Sequence, residues 1–430
     1  MKQPRRPPRQ GTSTQIGVVL VFFVFSLLSW SFAQAQSEVL KLETWRADDE
    51  ARWVNQIIPA FNRTHPTTKL FTLPSQAIEY DANLLDKLAK NTAGDLITCR
   101  PFDQSLNLYD KGHLKDITAM PELRRFRSHS KIAWTTYYAD RVFCMPVAAV
   151  MTGFFYNTQI FKELNLRPPQ TEEELFAALQ TIKASKKYLP LAFGTGDPWQ
   201  AAQVLFAGIG PNYWNGEQGR INLLTGRAKF TDPAYVDTWR TLAKLADYLP
   251  KNHQEIGENG ARKLFLDGKA AIYPAGSWEI SFLAKHSNAQ HFGVFAPPPK
   301  QIKHNCYVLS HFDMGIGVNV QTRHPQQASA FLTWLSTPEF SQALVNNLHG
   351  FFPLSNYPID INEPLAKEMA SWRQQCDTTI RINSQFLNQA WPGLEQALWD
   401  VSARVMRKEI TPEEAATRIS NGVEKWFKPI

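Results

Sequence analysis

Segments that read as strands alternate with segments that read as amphipathic helices almost from the start of the folded chain. Val39-Leu40-Lys41-Leu42-Glu43-Thr44-Trp45 has strand character, and polar Arg46 to Glu50 follow it. Val54, Ile57, Ile58 and Phe61 then recur at helical spacing, with Pro66 just beyond. Lys69 to Leu73 suits a second strand, 78–90 an amphipathic helix with Leu84, Leu85 and Leu88 inward, and 95–99 a third strand. Strand–helix alternation of this kind predicts an α/β fold with a mostly parallel sheet. The chain has 430 residues, and single hydrophobic cores stop growing near ~250–300 residues. Two α/β lobes are therefore expected.

The middle and end of the chain carry helix-start chemistry. Thr171-Glu172-Glu173-Glu174 reads as a capping box ahead of Leu175, Leu179 and Ile182. Asp232-Pro233 and Thr337-Pro338 place a cap before a proline, and Thr411-Pro412-Glu413-Glu414 repeats the pattern. Strand-like pieces lie between, at 153–156, 270–273, 292–295 and 314–320.

The first 35 residues read as a secretory signal peptide. Lys2, Arg5, Arg6 and Arg9 form a basic region, Ile16 to Trp30 an apolar run, and Ala33-Gln34-Ala35 a small-x-small cleavage site, with cleavage expected after Ala35. The apolar run is shorter than the ~20 residues of a membrane span. An exported, periplasmic protein is expected, and no cysteine follows the cleavage site to carry a lipid. The formal charge of +7 falls to +3 without the leader, which leaves no basic surface of the nucleic-acid-binding kind. Export permits disulfides among Cys99, Cys144, Cys306 and Cys376. Their pairing stays open between three connectivities and four buried thiols.

Enzyme signatures are missing. There is no GxxxxGK[ST] loop, GxSxG or HExxH, and each short glycine pair lacks the third glycine of a dinucleotide fingerprint. Cofactors and metals are not expected; His304, Cys306 and His311 form only a loose grouping. Asp48, Asp49 and Glu50 after the first strand have three readings: helix capping, hydrogen bonding to sugar hydroxyls, or paired-carboxylate hydrolysis of a glycoside. Aromatic and polar residues gather at loop positions: Trp45-Arg46, Arg100 to Asp103, Asp197 to Trp199, Gly276 to Glu279 and Gly350 to Pro353. Rings give a flat apolar platform for the C–H face of a sugar, and charged groups suit its hydroxyl edge. Open α/β sheets bind ligands beyond the carboxyl ends of their strands.

The order of segments resembles the extracellular solute-binding proteins of carbohydrate ABC importers, the family that includes maltose-binding protein. Phe155-Tyr156-Asn157-Thr158-Gln159-Ile160-Phe161, Pro168-Pro169-Gln170-Thr171 and Glu174-Leu175 are similar to that family's "YN..LF...G...P.TW.EL". Phe265 to Ile272 with Gly276-Ser277-Trp278-Glu279 resembles "F..GKAAM...GSW", and Ala328 to Glu339 resembles "A..FL.WL.TPE". Asp95-Leu96-Ile97 is similar to its "PDV" strand with Gly94 in place of proline, and Phe143 to Val147 resembles "YGVPV" with unusual residues. The resemblance spans Leu40 to Phe427.

It implies a periplasmic-binding-protein-like type II fold: two discontinuous α/β lobes with the ligand in the cleft between them. Lobe one would hold 36–147 and 310–378, and lobe two 148–309 and the C-terminal helices in 379–430. Crossings are expected near 147–150, 309–313 and 379–385. Function would be capture of a sugar or oligosaccharide without chemistry, by a monomer that closes and delivers the ligand to the permease subunits. The ligand-binding residues carried over by position are Trp45, Arg46 and Asp49; Arg100 and Asp103; Trp199; Ser277, Trp278 and Glu279; Phe351 at the lobe-one rim; and Trp391 at the mouth. His311 and Asp313 at the second crossing depart from the small residues frequent there and would add polar contacts. Two other readings remain: a glycerol phosphate ester, polyol or acidic sugar paired with Arg46 and Arg100, or a secreted glycosidase using Asp48 and Asp49 or Glu279.

Overall fold

The computed structural model describes residues 38–429 apart from 139, 302–304 and 389–392, together with Met1 and Pro4. The expected signal peptide, those two residues aside, and Trp391 lie outside the described residues.

Strand β1 (Glu38–Thr44) pairs in parallel with β2 (Thr68–Pro74) over its whole length, and with β3 (Leu96–Cys99) at Leu42 and Glu43. Helix α1 (Ile58–Thr64) connects β1 to β2, and α2 (Tyr80–Ala89) connects β2 to β3. A π-turn over Trp53–Ile57 precedes α1 and shifts the buried face. Trp53 is buried and Val54 is exposed, the reverse of the regular helical expectation. In α2, Leu84 and Leu88 are buried as expected, but Leu85 points outward. After β3, helix α3 (Asp103–Asp110) begins at Phe102, whose φ of 64° is rare for an aromatic residue. Phe102 N–H donates to Ala133 O at 2.7 Å, which holds that backbone in place.

The 13-residue β4 (Met145–Asn157) leads to α4 (Glu172–Ser185), β5 (Leu189–Leu191), α5 (Pro233–Leu245), α6 (Glu258–Leu266), β6 (Ala270–Gly276) and β7 (Phe292–Phe295). Thr171 caps α4 by accepting from Glu174 N–H at 3.2 Å, while Glu174 turns to the Gln170 N–H rather than closing the expected box. Next come the long strand β8 (Tyr307–Val318), α7 (Pro325–Leu335), α8 (Pro338–Asn347), the short β9 (Phe352–Pro353), α9 (Pro364–Gln375) and β10 (Asp377–Thr379). The chain finishes with α10 (Leu394–Met406) and α11 (Pro412–Val423). At α11 the Thr411–Glu414 capping box is complete.

The strand order is β2-β1-β3-β8-β4-β6-β5. Strands β4 and β8 are common to both halves of this path. Residues Met145 to Met151 of β4 pair with β8, and Thr152 to Tyr156 pair with β6. One core gathers around β1, β3 and α1, with Leu40, Phe61, Ile97 and Phe331 buried. Two further clusters surround the other end of the ribbon, around Phe206, Trp239 and Leu398, and around Phe155, Tyr273 and Trp372. Trp372 places α9 in the last of these, so this helix packs with the second half and not with the first, where 310–378 was expected.

Cys99 is joined to Cys144 and Cys306 to Cys376, which resolves the pairing left open by the sequence. The first bridge ties the end of β3 to the start of β4; the second ties the start of β8 to the end of α9. Among the described residues no helix is long and apolar enough to cross a membrane.

Candidate ligand-binding site

Because β1 and β3 are parallel, the loops that follow them leave the sheet at one edge. Trp45 meets Tyr80 edge-on at 5.4 Å, and the Arg100 guanidinium lies 4.7 Å over the Trp45 ring. Arg100 is held from below by Asp81 at 3.1 Å and by the Ala77 carbonyl at 2.6 Å. Next to them Arg46 lies 4.5 Å over Phe351 and pairs with Asp49.

Two expectations change here. Asp49 is buried, with one oxygen on Arg46 and the other 2.7 Å from Arg52 Nη1. It makes no side-chain helix cap. It acts beneath the site, fixing two guanidinium groups, and Arg52 passes the link on to the Ser281 carbonyl of the other half at 2.8 Å. Phe351 is fully buried under Arg46 and does not stand at a rim.

On the other half, β6 ends at Gly276 and presents Trp278, half-buried, with its ring 6.1 Å from that of Trp199. The Trp278 indole N–H donates to Glu258 at 2.7 Å. Burial, and then the Glu279 charge, push Glu258 from 4.5 up to about 7, against the hydrogen bond from Trp278. Glu279 itself is fully buried and receives two hydrogen bonds from Arg262, at 2.5 and 2.7 Å. It is a supporting carboxylate with no open face toward a ligand. Ser277 is also fully buried: its hydroxyl donates to the Gly350 carbonyl at 2.5 Å and accepts from Met151 N–H at 3.1 Å. Gly350 has φ +86°, and a Cβ there would stand 1.8 Å from the Ser277 carbonyl oxygen, so this junction requires glycine. Ser277 thus joins the two halves instead of facing the site.

Between the halves, β8 contributes His311 and Asp313. Burial holds the His311 ring neutral, and its Nδ1 has no hydrogen-bond partner. Asp313 Oδ2 is also unpartnered. Burial raises the Asp313 pKa, while the positive charges of Arg46, Arg381 and Arg100 oppose the rise. Unmet polar atoms of this kind in a buried place favour an incoming hydrogen-bonding group. Asp103 accepts from the Tyr137 hydroxyl at 2.8 Å, and its pKa is lifted to about 6 by burial. Tyr137 stacks on Phe386 of the opposite half at 4.6 Å.

Three charged participants escaped the sequence reading, Glu258, Arg381 and Glu395. Glu258 is the acid beside Trp278. Arg381 and Glu395 pair at 3.5 Å, and Gln203 donates to Glu395 at 2.7 Å. Their only sequence signals were an acid at the start of α6 and lone charges ahead of and within α10, neither tied to a motif. Among the described residues no group of three or more His, Cys, Asp or Glu could hold a metal. Of the loose His304-Cys306-His311 grouping, His304 lies outside the described residues and Cys306 is bonded to Cys376. The assembled surface offers tryptophan faces, carboxylates and guanidinium groups.

Residues 56–357 match the family model described as bacterial extracellular solute-binding protein. A multiple sugar-binding protein from Streptococcus mutans is 24% identical over 303 residues, covering 67% of this chain and 69% of its own length. Among solved structures, the bacterial solute receptor AcbH, described as having an exclusive preference for β-D-galactopyranose, superposes with a TM-score of 0.78 at 16% identity. That match covers 91% of this chain and all of the receptor. The solute-binding protein RafE in complex with raffinose gives a TM-score of 0.74 at 16% identity, over 90% of this chain and 99% of RafE. The α/β fold is thus that of type II solute-binding proteins, with two lobes and a cleft between them.

Proposed function

Since the chain belongs to the bacterial extracellular solute-binding proteins, a family of receptors that act outside the cytoplasm, we propose that it captures a sugar or oligosaccharide for an ABC importer. The observation that carries the ligand class is the pair of half-buried rings Trp199 and Trp278, 6.1 Å apart and backed by Glu258, whereas Trp45 is buried in the first core beneath the Arg100 guanidinium. Tryptophan faces take the apolar side of a sugar ring; Asp313, Arg46, Arg381 and Glu395 supply acceptors and donors for its hydroxyls. Asp103 stands at the mouth in this reading, and Trp391, outside the described residues, stays a candidate through the family resemblance alone.

Closure follows from connectivity. Strands β4 and β8 run through both halves, so the lobes turn about this ribbon. A ligand that touches both lobes only when they are closed shifts the population toward the closed form. We place the lobe boundaries at the ribbon, with α9 assigned to lobe two by its packing. The closed monomer then docks on the permease subunits, after export and removal of residues 1–35 into the periplasm.

Charge balance favours a neutral ligand over a phosphate ester or acidic sugar. Arg46 is matched by Asp49, Arg100 by Asp81, and Arg381 by Glu395. Tryptophan fluorescence, followed while neutral and anionic saccharides are titrated at low and high salt, tests this. Saturable quenching by a neutral saccharide that is insensitive to salt is expected; a response confined to anionic saccharides would overturn it.

A further inference from the structure

Alternate residues of β8 face opposite ways. His311 and Asp313 are set among the charges of the cleft, and Ser310 and Phe312 line a separate cavity of about 660 Å³ behind the ribbon. Its walls come from both halves. Arg127, His129 and Ser130 lie on one side, and Arg373 and Thr378 lie on the other. No carboxylate is among the described residues that line it.

Arg373 is positioned: its guanidinium lies 4.7 Å over the Phe352 ring and donates to Ser310 Oγ at 3.2 Å. Among the described residues neither Arg373 nor Arg127 forms an ion pair, whereas Arg46, Arg100 and Arg381 in the cleft each have an acid. His129 is 5.3 Å from the Phe312 ring at the same wall. Two unmatched guanidinium groups in a concave pocket with surrounding hydroxyls form the donor set that a phosphoryl group takes, through charge-assisted and bidentate hydrogen bonds. A volume of this size holds a small organic molecule as well as its phosphate.

We propose that the cavity behind β4 and β8 is a second binding site, for a small phosphorylated compound held by Arg373 and Arg127. The site stands apart from the sugar cleft, since no residue assigned to the cleft lines it. Calorimetric titration of the purified protein with inorganic phosphate, glucose 6-phosphate and glucose tests it, in wild type and in Arg373→Gln and Arg127→Gln. At least one of the two anions binds wild type, more weakly as salt rises, and loses tenfold or more in affinity in a variant. Glucose binding, if present, stays unchanged in both variants. Binding of both anions shows that the phosphoryl group alone is recognised; binding of glucose 6-phosphate alone shows that the organic part is needed too. The proposal is overturned if neither anion binds wild type below about 10 mM, or if both variants keep wild-type affinity. Arg127 is solvent-exposed, so its variant tests the site even where Arg373→Gln fails to fold.

Discussion

The indole of Trp278 donates its N–H to Glu258 at 2.7 Å, and this one contact ties the aromatic platform of lobe two to a carboxylate whose pKa is raised to about 7. The ring is oriented by this bond and lies tilted at 47° to that of Trp199, 6.1 Å away. Trp278→Ala is expected to weaken sugar binding at least tenfold, about 1.4 kcal/mol, while the protein still melts cooperatively. Trp278→Phe keeps an aromatic face without the hydrogen bond, so its loss is smaller. Equilibrium titration alongside thermal melting checks both; unchanged affinity in Trp278→Ala would remove the stacking role.

Stability should depend on pH through the same carboxylate. Glu258 is lifted by burial and by the Glu279 charge, and Asp103 is lifted to about 6 by burial. A carboxyl with a raised folded pKa binds more protons folded than unfolded. Its stabilising contribution is therefore full below the unfolded value near 4.5 and declines as pH rises through about 7. The Glu258 share is at most about 3 kcal/mol. Glu258→Gln is expected to flatten this decline, gaining on wild type at about pH 8 and losing the advantage near pH 4. Urea unfolding across that range measures it.

Asp49 is the keystone of a buried chain, Arg46–Asp49–Arg52, that reaches the opposite lobe at Ser281. Asp49→Asn strands two guanidinium groups, and a stability loss of roughly 3 kcal/mol is expected. Sugar affinity also falls, because Arg46 is no longer fixed. A variant that melts like wild type and binds poorly would instead make Asp49 a direct ligand contact.

The two disulfides differ in access. Cys99 and Cys144 are fully buried, whereas Cys306 and Cys376 are partly exposed. Mild reductant is expected to open Cys306–Cys376 first, as read by thiol labelling and mass spectrometry. Each bridge closes a loop of 45 or 70 residues, so full reduction costs about 4 kcal/mol per bridge on the chain-entropy view, and the melting temperature falls.

Much of the architecture was legible in local pattern. The Thr171 and Thr411 caps rest on contacts within a few residues, β1 and the polar loop after it show in the order of residue types along the chain, and the Gly276-Ser277-Trp278 turn showed in the family resemblance. The misreadings have a common cause in long-range packing. The π-turn before α1 exchanges Val54 for Trp53 at the core, because Trp53 packs into the core that also holds Phe331 and Phe340. Ser277, Glu279 and Phe351 carry the residue types of a sugar site, yet Gly350, Arg262 and Arg46 take up their exposed faces. Glu395 and Arg381 reach the cleft through the chain's return to lobe two, which no local motif marks. Cysteine pairing likewise depends on which strand ends meet, and β3 meets β4 only through β8.

The most direct test of sugar capture is calorimetry of the purified protein against a panel of neutral mono-, di- and oligosaccharides, with each ligand recovered afterwards. One saccharide class is expected to bind with saturation, to stabilise the fold by ~2.7 kcal/mol at a hundred times its dissociation constant, and to be recovered intact. Absence of binding across the whole panel, or recovery of the saccharide as cleaved products, would contradict capture of a sugar without chemistry.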